Sequence, residues 1–378
     1  MIQDPPHSTI PNDARDKSVS KPAQTLSLWQ LLSKATILAL GIFLVFVVIS
    51  LLIIGVFAYQ KYTTFLRAAN LTHAEVLQLY SDSNNTQPSA QSGKTIVLIL
   101  GVDTVDNKQA PPLTDTMLLV SIDSEANQFT SLPLPRDLWS EAYQTKFNAL
   151  YHYGFERYPA RPEQFVEEVI TEVTTVPIDY TVVISLDSVA EIIDLAGGLE
   201  IDIPTGFVDE RFPRSDITLE SATSEAEIYK TVTFSAGQTV LSGERTLEYI
   251  RSRNSEGDTG TDEDRGRRQQ LVVSSLVSQL SDPKLYLDRP ELLAQLYLWY
   301  DSRLDQQLPI THAGALALQL LAERTTPQFS QQQLPIYPDS EHGIIENPPL
   351  STQYQGQWVY QIRDSADFRQ YVQETLLK

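Results

Sequence analysis

Between Ala35 and Tyr59 the chain carries no charged residue, and within that interval runs ALGIFLVFVVISLLIIGVFAY. A helix needs about 20 predominantly apolar residues to cross a bilayer. A helix of this composition has no polar face to offer water, so the segment splits the molecule into a membrane part and a remainder. Lys34 and Lys61 bracket it, and Tyr59 and Tyr62 are suited to the interface. A cleaved signal peptide has an apolar core of about 7–15 residues, shorter than this run, and no small-x-small site follows it. Lys17, Lys21 and Lys34 precede the segment while Lys61 and Arg67 follow it, which tilts the positive-inside rule mildly toward a cytoplasmic N-terminus. The expectation is a disordered cytoplasmic tail over 1–34, rich in Pro, Ser, Asp and Lys, and a transmembrane helix over 35–60. An extracytoplasmic stalk over 61–94 follows, helical to about 80 and ending in the flexible linker SDSNNTQPSAQSGK. The protein is thus expected in the plasma membrane, single-pass, with its C-terminal domain outside.

Charge excludes one large class of partners. There are 28 basic against 48 acidic side chains, a net charge of −20. Nucleic-acid binding wants a basic surface, so no nucleic-acid partner is expected. The absence of cysteine excludes disulfides, thiolate metal sites and cysteine nucleophiles. The five histidines (His7, His73, His152, His312 and His342) show no paired metal-ligand spacing.

The remainder reads as an α/β fold. KTIVLILGVD is a short continuous apolar run, as a strand buried on both faces would be, and TDTMLLVSID and QFTSLPLP read as the next two strands. PEQFVEEVITEVTTV has helical spacing, IDYTVVIS is another strand, and SLDSVAEIIDLAGGLEIDIP gives a helix, a glycine stop and a strand. The acidic, weakly patterned stretch from about 208 to 230 reads as loops around minor structure. LSGERTLEYIRSR is a short helix passing into an extended end, and DRGRRQQLVVSSLVSQL is an amphipathic helix. Strands interleaved with helices predict a layered α-β-α domain with a central mixed sheet over 95–280. Residues 281–378 add at least two helices, with strands near QQLPIYP and GQWVYQI, and are expected to complete the same domain.

Six arginines stand close together against the acidic background: Arg245, Arg251, Arg253, Arg265, Arg267 and Arg268. Guanidinium groups suit phosphate because their planar fork donates two parallel charged hydrogen bonds. Arg251 and Arg253 are two apart, which puts both on one face of extended backbone. Arg265, Arg268 and Gln269 share a face in the first turns of a helix, where anions are already favoured. The plainer alternative is neutralisation of the acidic loop SRNSEGDTGTDED. The regular spacing and the absence of lysine favour phosphate. Asp103 lies just past the end of the first strand and Asp115 opens the second, so two carboxylates either meet there to hold a cation or serve as turn residues. Arg136 and Asp137 follow a proline-fixed segment, with Lys146 and Asn148 shortly after. On their own they read as a surface ion pair.

Taken in order, ILGVD, TDTMLLVSID, LPRDL, KFNALYHYG, DLAGGLEIDIP, FSAGQTVLSGERTLEYIRSR and DEDRGRRQQ resemble the LytR-CpsA-Psr family of bacterial cell-envelope enzymes. The resemblance covers the chain from the anchor through about Leu280. It implies a membrane-anchored phosphotransferase that moves a glycopolymer from a polyprenyl-pyrophosphate carrier onto a peptidoglycan acceptor. It implies Mg2+, or Mn2+, on Asp103 and Asp115. It implies pyrophosphate contacts from Arg136, Arg251, Arg253, Arg265 and Arg268, with Gln269 and Lys146 beside them. Either Asp115 or Asp137 would accept the proton of the attacking hydroxyl. Two positions depart from the family pattern: Leu113 stands where an arginine is usual, and Leu138 where threonine is common. The lipid tail calls for an apolar slot, expected between the sheet and helices such as 165–176. Two other activities fit the same residues: hydrolysis of the carrier diphosphate, and binding of polyprenyl phosphate without turnover as an envelope regulator. No helix-turn-helix is evident.

Overall fold

The computed structural model describes residues 28–90, 93–102, 112–214, 224–255, 260–304, 306–323 and 328–378. It divides the chain into two units, 1–60 and 61–378. The predicted tail lies outside the described residues as far as residue 27. Helix α1, Leu28–Ala69, begins before the predicted span and continues past it into the stretch expected to be helical to about 80. Its stretch Ala39–Ala69 is the one helix among the described residues that is long and apolar enough to cross a membrane. It ends where Asn70 takes a left-handed φ of 53°, a conformation that stops a helix and that asparagine tolerates. Helix α2, His73–Asn85, starts on a capping box in which Thr72 and Glu75 satisfy each other's backbone N–H. The stretch read as a linker from residue 81 therefore begins inside a helix.

The second unit is built on a mixed five-stranded sheet. Its strands are β1 Thr95–Val102, β2 Thr114–Asp123, β3 Gln128–Pro133, β4 Tyr180–Ser185 and β5 Gln328–Gln331, in the order β5-β3-β2-β1-β4. The inner pairs β1–β2 and β2–β3 are antiparallel, while β4 and β5 lie parallel to β1 and β3. Alternation decides which side chains go where. Ile96, Leu98 and Leu100 of β1 point with Met117, Leu119 and Leu132 to one face. There they pack on Phe165, Val166, Val169 and Ile170 of α3, Glu163–Thr174. Phe368, Val372 and Leu376 of the C-terminal helix Ser365–Leu377 close the same layer. The hydroxyl of Ser121 donates to the Leu376 carbonyl at 2.6 Å, tying that helix to the sheet.

The opposite face is covered by the helix Asp262–Leu280, and there the packing is open. Val97, Ile99, Leu118, Val120 and Ile122 look across an apolar cavity of about 250 Å³ toward Val273 and Val277. This cavity lies on the side of the sheet away from 165–176, where the apolar slot was expected. The side chains of α3 fill their own face.

A second hydrophobic cluster joins the ladder Leu199–Ile203 with Gly237–Leu241 and the ladder Phe207–Pro213 with Tyr229–Phe234. The region read as loops over 208–230 is therefore strand at both ends, and 215–223 lie outside the described residues. The rings of Phe207, Phe234 and Tyr249 meet here, with centroids 5.2–5.8 Å apart. They anchor the helix Gly243–Arg251, which delivers Arg251 at its last residue.

Candidate functional site: an arginine and aspartate cleft over an apolar cavity

Strand direction explains why distant segments meet. β1, β3 and β4 run the same way and end at one edge, and antiparallel β2 starts there. That edge therefore collects Asp115 at the start of β2, the Arg136 loop after β3, and the first turns of the helix Asp262–Leu280. The carboxyl ends of strands are the usual ligand edge of α/β sheets.

Asp115 reaches the cleft through a register shift. Gly101 pairs with Thr116 and Val102 with Thr114, so Asp115 has no residue opposite it. Strict alternation would send it to the same side as Met117 and Leu119, into the closed core. A bulge re-aims such a side chain. Gly101 is required here because a Cβ would stand 2.8 Å from Cβ of Thr116.

Arg136 donates from Nη1 to Oδ1 of Asp115 at 2.6 Å and lies 3.4 Å through Nε from Oδ2 of Asp137. Lys146 donates to Oδ1 of Asp137 at 2.7 Å. The loop is fixed by its backbone: Leu138 N–H donates to the Pro135 carbonyl at 3.0 Å and Asn148 N–H to the Arg136 carbonyl at 2.9 Å. The two carboxylates differ in access. The Asp115 side chain is 30% exposed and that of Asp137 only 7%. Leu138 is fully buried in the closed core, so at this position the chain has an apolar packing residue. Leu113 is solvent-exposed.

Two compartments flank this pair. One, of about 90 Å³, is lined by Asp115, Arg136, Asp137, Arg265 and Gln269 among others. The other, of about 340 Å³, is lined by Asp115, Arg251, Arg253, Arg265 and Gln269. Asp115, Thr116, Arg265 and Gln269 form the wall common to both. Farther along the same helix, Gln270, Val273 and Val277 line the apolar cavity. From Arg265 to Val277 the helix rises roughly 18 Å at about 1.5 Å per residue. One helix thus runs from a cationic end to an apolar one.

Not every predicted residue joins the cleft. Arg268 turns away, 60° around the helix from Arg265 by its spacing. Its Nη2 donates to the Ser252 carbonyl at 2.7 Å, and its guanidinium lies 4.6 Å from the Phe207 ring centroid and 5.8 Å from that of Tyr249. Burial pushes the Arg268 guanidinium below its usual pKa, against the pull of Asp264, Tyr249 and Asp209. Burial likewise raises the Tyr249 phenol to about 12. Arg268 lines neither compartment and serves the second hydrophobic cluster. Arg245 does similar work, 4.3 Å over the Phe234 ring. Lys146 touches the site through Asp137. Asp103 lies outside the described residues.

One contributor escaped sequence reading. Asp209 is fully buried. Its Oδ2 accepts from Arg253 N–H at 3.0 Å and Asn254 N–H at 3.2 Å, and its Oδ1 from Arg211 N–H at 3.0 Å. It fixes the segment that follows Arg251 and so aims Arg253. Its only signal in the sequence is an aspartate in an alternating stretch.

For a cation, Asp115 supplies the hard oxygen donors that Mg2+ or Mn2+ accepts. Among the described residues no group of three or more His, Asp or Glu gathers to hold a metal. Of the two cleft carboxylates described, Asp115 is the more open, and Arg136 already engages it.

A helix able to span a membrane, followed by an α/β domain with an arginine-rich cleft and an apolar cavity along one shared helix, defines the class. The model of the LytR_cpsA_psr family matches residues 60–337, and the chain belongs to that family. Among relatives, it is 25% identical over 250 residues to the polyisoprenyl-teichoic acid–peptidoglycan teichoic acid transferase TagV of Bacillus subtilis. That match covers 64% of this chain and 57% of the relative. It is 24% identical over 243 residues to the corresponding transferase TagU of Bacillus cereus, covering 61% of this chain and 68% of TagU. The chain thus spans less than two thirds of the length of TagV. The crystal structure of B. subtilis TagV superposes with a TM-score of 0.51 at 20% identity, over 76% of this chain and 98% of that one, which establishes a shared fold.

Proposed function

We propose that this chain transfers a glycopolymer from a polyprenyl-diphosphate carrier to peptidoglycan, as a membrane-anchored enzyme with its α/β domain outside the cell. The observation that carries this reading is the continuity of the helix Asp262–Leu280, with Arg265 and Gln269 in the cleft and Val273 and Val277 along the apolar cavity. A ligand with an anionic head and a long apolar tail matches both ends. The relatives' names, which couple a polyisoprenyl carrier to peptidoglycan, support the same substrate pair.

In this reading Arg136, Arg251, Arg253 and Arg265 hold the diphosphate and stabilise charge on the departing polyprenyl phosphate. An acceptor hydroxyl forms the new oxygen–phosphorus bond as the bond to polyprenyl phosphate breaks. Its proton goes to Asp115, the more open of the two carboxylates. Asp137, buried against Lys146 and Arg136, holds Arg136 in place. A divalent cation on Asp115, with Asp103 as its expected second ligand, would neutralise phosphate charge.

Each charged hydrogen bond to phosphate contributes about 1.5–3 kcal/mol. Arg136→Ala is therefore expected to lower transfer by at least about tenfold. The full-length protein is incubated with a lipid-linked oligosaccharide and peptidoglycan fragments, with and without Mg2+. Polymer joined to peptidoglycan supports transfer. Free phosphorylated glycan would replace it with hydrolysis, and binding without product would reduce the chain to a carrier-lipid binder.

A further inference from the structure

The family match ends at residue 337, yet the chain beyond it enters the cleft. Tyr360 N–H donates to the Asp137 carbonyl at 2.9 Å, and Trp139 N–H donates to the Tyr360 carbonyl at 2.8 Å. The C-terminal segment is thereby laid parallel to the Arg136–Asp137 loop across Leu138. Ile345 and Tyr360 become the wall of the smaller compartment, facing Arg136 and Asp137. Two residues earlier stands Trp358, 42% exposed, with its ring centroid 4.8 Å from that of Tyr360 at 74°. Residues two apart in extended chain share a side. The segment is pinned in place: the Asn347 side-chain amide donates to the Val359 carbonyl at 2.6 Å, and Trp139 packs edge-on against Tyr354.

We propose that Trp358 and Tyr360 form a binding platform for a pyranose ring of the transferred or accepting glycan. This assignment rests on the transferase reading. An exposed indole beside a tyrosine offers an apolar face to sugar C–H groups and a polar edge to hydroxyls. The lipid tail has its own cavity on the open face of the sheet, so this wall is left to the sugar end of the reaction. A sugar on the donor is bonded directly to the diphosphate, and an acceptor sugar must bring its hydroxyl to the same phosphorus. Either ring therefore has to lie against the groups that surround Arg136.

The test uses the full-length protein in detergent micelles and three probes. They are bare polyprenyl diphosphate, polyprenyl diphosphate carrying N-acetylglucosamine, and a free N-acetylglucosamine oligosaccharide. Trp358→Ala is expected to weaken a sugar-bearing probe by about tenfold and leave the bare carrier within about twofold. Loss on the sugar-linked carrier assigns the platform to the donor, and loss on the free oligosaccharide assigns it to the acceptor. Trp358→Phe should restore most of the affinity. Tyr360→Leu, which keeps the wall apolar without a ring, should repeat the loss. Unchanged affinity for both sugar probes overturns the proposal. So does an equal loss on the bare carrier, which marks a purely structural role. Failure of the wild-type protein to bind bare carrier would sink the transferase reading instead, while the free oligosaccharide still judges the aromatic pair.

Discussion

The two faces of the central sheet are made of the same residue types and do opposite things. On one face Ile96, Leu98, Leu100, Met117 and Leu119 pack against the large side chains Phe165, Ile170 and Phe368 in one buried core. On the other, Val97, Ile99, Leu118 and Val120 meet Gln270, Val273, Ser274 and Val277, which are small or polar, and a cavity stays open. The strands do not distinguish a filled face from an open one. The covering helix does, through side-chain volume. Filling a face adds stability through close packing, whereas an unfilled apolar face is free to take an apolar guest.

Mutations on the two sides should therefore separate stability from binding. The largest effect is expected from Phe368→Ala on the closed face. It should cost about 3–5 kcal/mol of folding stability in chemical denaturation, while the fraction still folded keeps its affinity for polyprenyl diphosphate. A smaller free-energy change with the opposite pattern is expected from Val273→Trp on the open face. Bulk added into free space should cost less than about 1 kcal/mol of stability, yet weaken the bare carrier by at least about tenfold, as read by direct binding. If Val273→Trp binds the carrier normally, the open face is not the tail site. The smallest effect concerns pH. Tyr151, in the closed core, has its phenol raised by burial from 10.0 to about 12. The folded state prefers the neutral form, so this contribution is complete below about pH 10 and is lost as pH rises toward about 12. Melting temperature should fall across that window, and Tyr151→Phe should fall less.

Much of this arrangement was legible in the chain. The apolar run announced α1, continuous apolar segments announced β1 and β2, and helical spacing announced α3. Arg251 and Arg253 do line one compartment together, but Arg251 ends a helix, so extended spacing is not what brings them there. What failed was the inference from shared helical face to shared role. Arg265 and Arg268 are three apart, yet one lines the cleft and the other stacks on Phe207 and Tyr249. A helix face is wide, and a neighbour from another segment decides what sits at its margin. The bulge that turns Asp115 outward was invisible for the same reason, since register is a property of two strands. The side of the sheet that keeps an apolar cavity was not legible, because α3 and the helix Asp262–Leu280 are both amphipathic and periodicity does not report volume. A strand near GQWVYQI was expected and Gln361–Ile362 is one, but the pairing of Tyr360 beside Leu138 is made by backbone hydrogen bonds, which carry no residue signature.

The pairing of Arg136 with Asp115 at 2.6 Å has a thermodynamic consequence. With no ligand, the guanidinium and the carboxylate neutralise each other. An anion that claims Arg136 strips Asp115 of its counter-charge and leaves two negative groups face to face. In the proposed reading, a cation that claimed Asp115 would release Arg136 in turn. The two ligands are therefore linked: each should tighten the other's hold by the same factor, because such coupling is reciprocal. The resting ion pair works as a latch that neither ligand opens as readily alone as both do together.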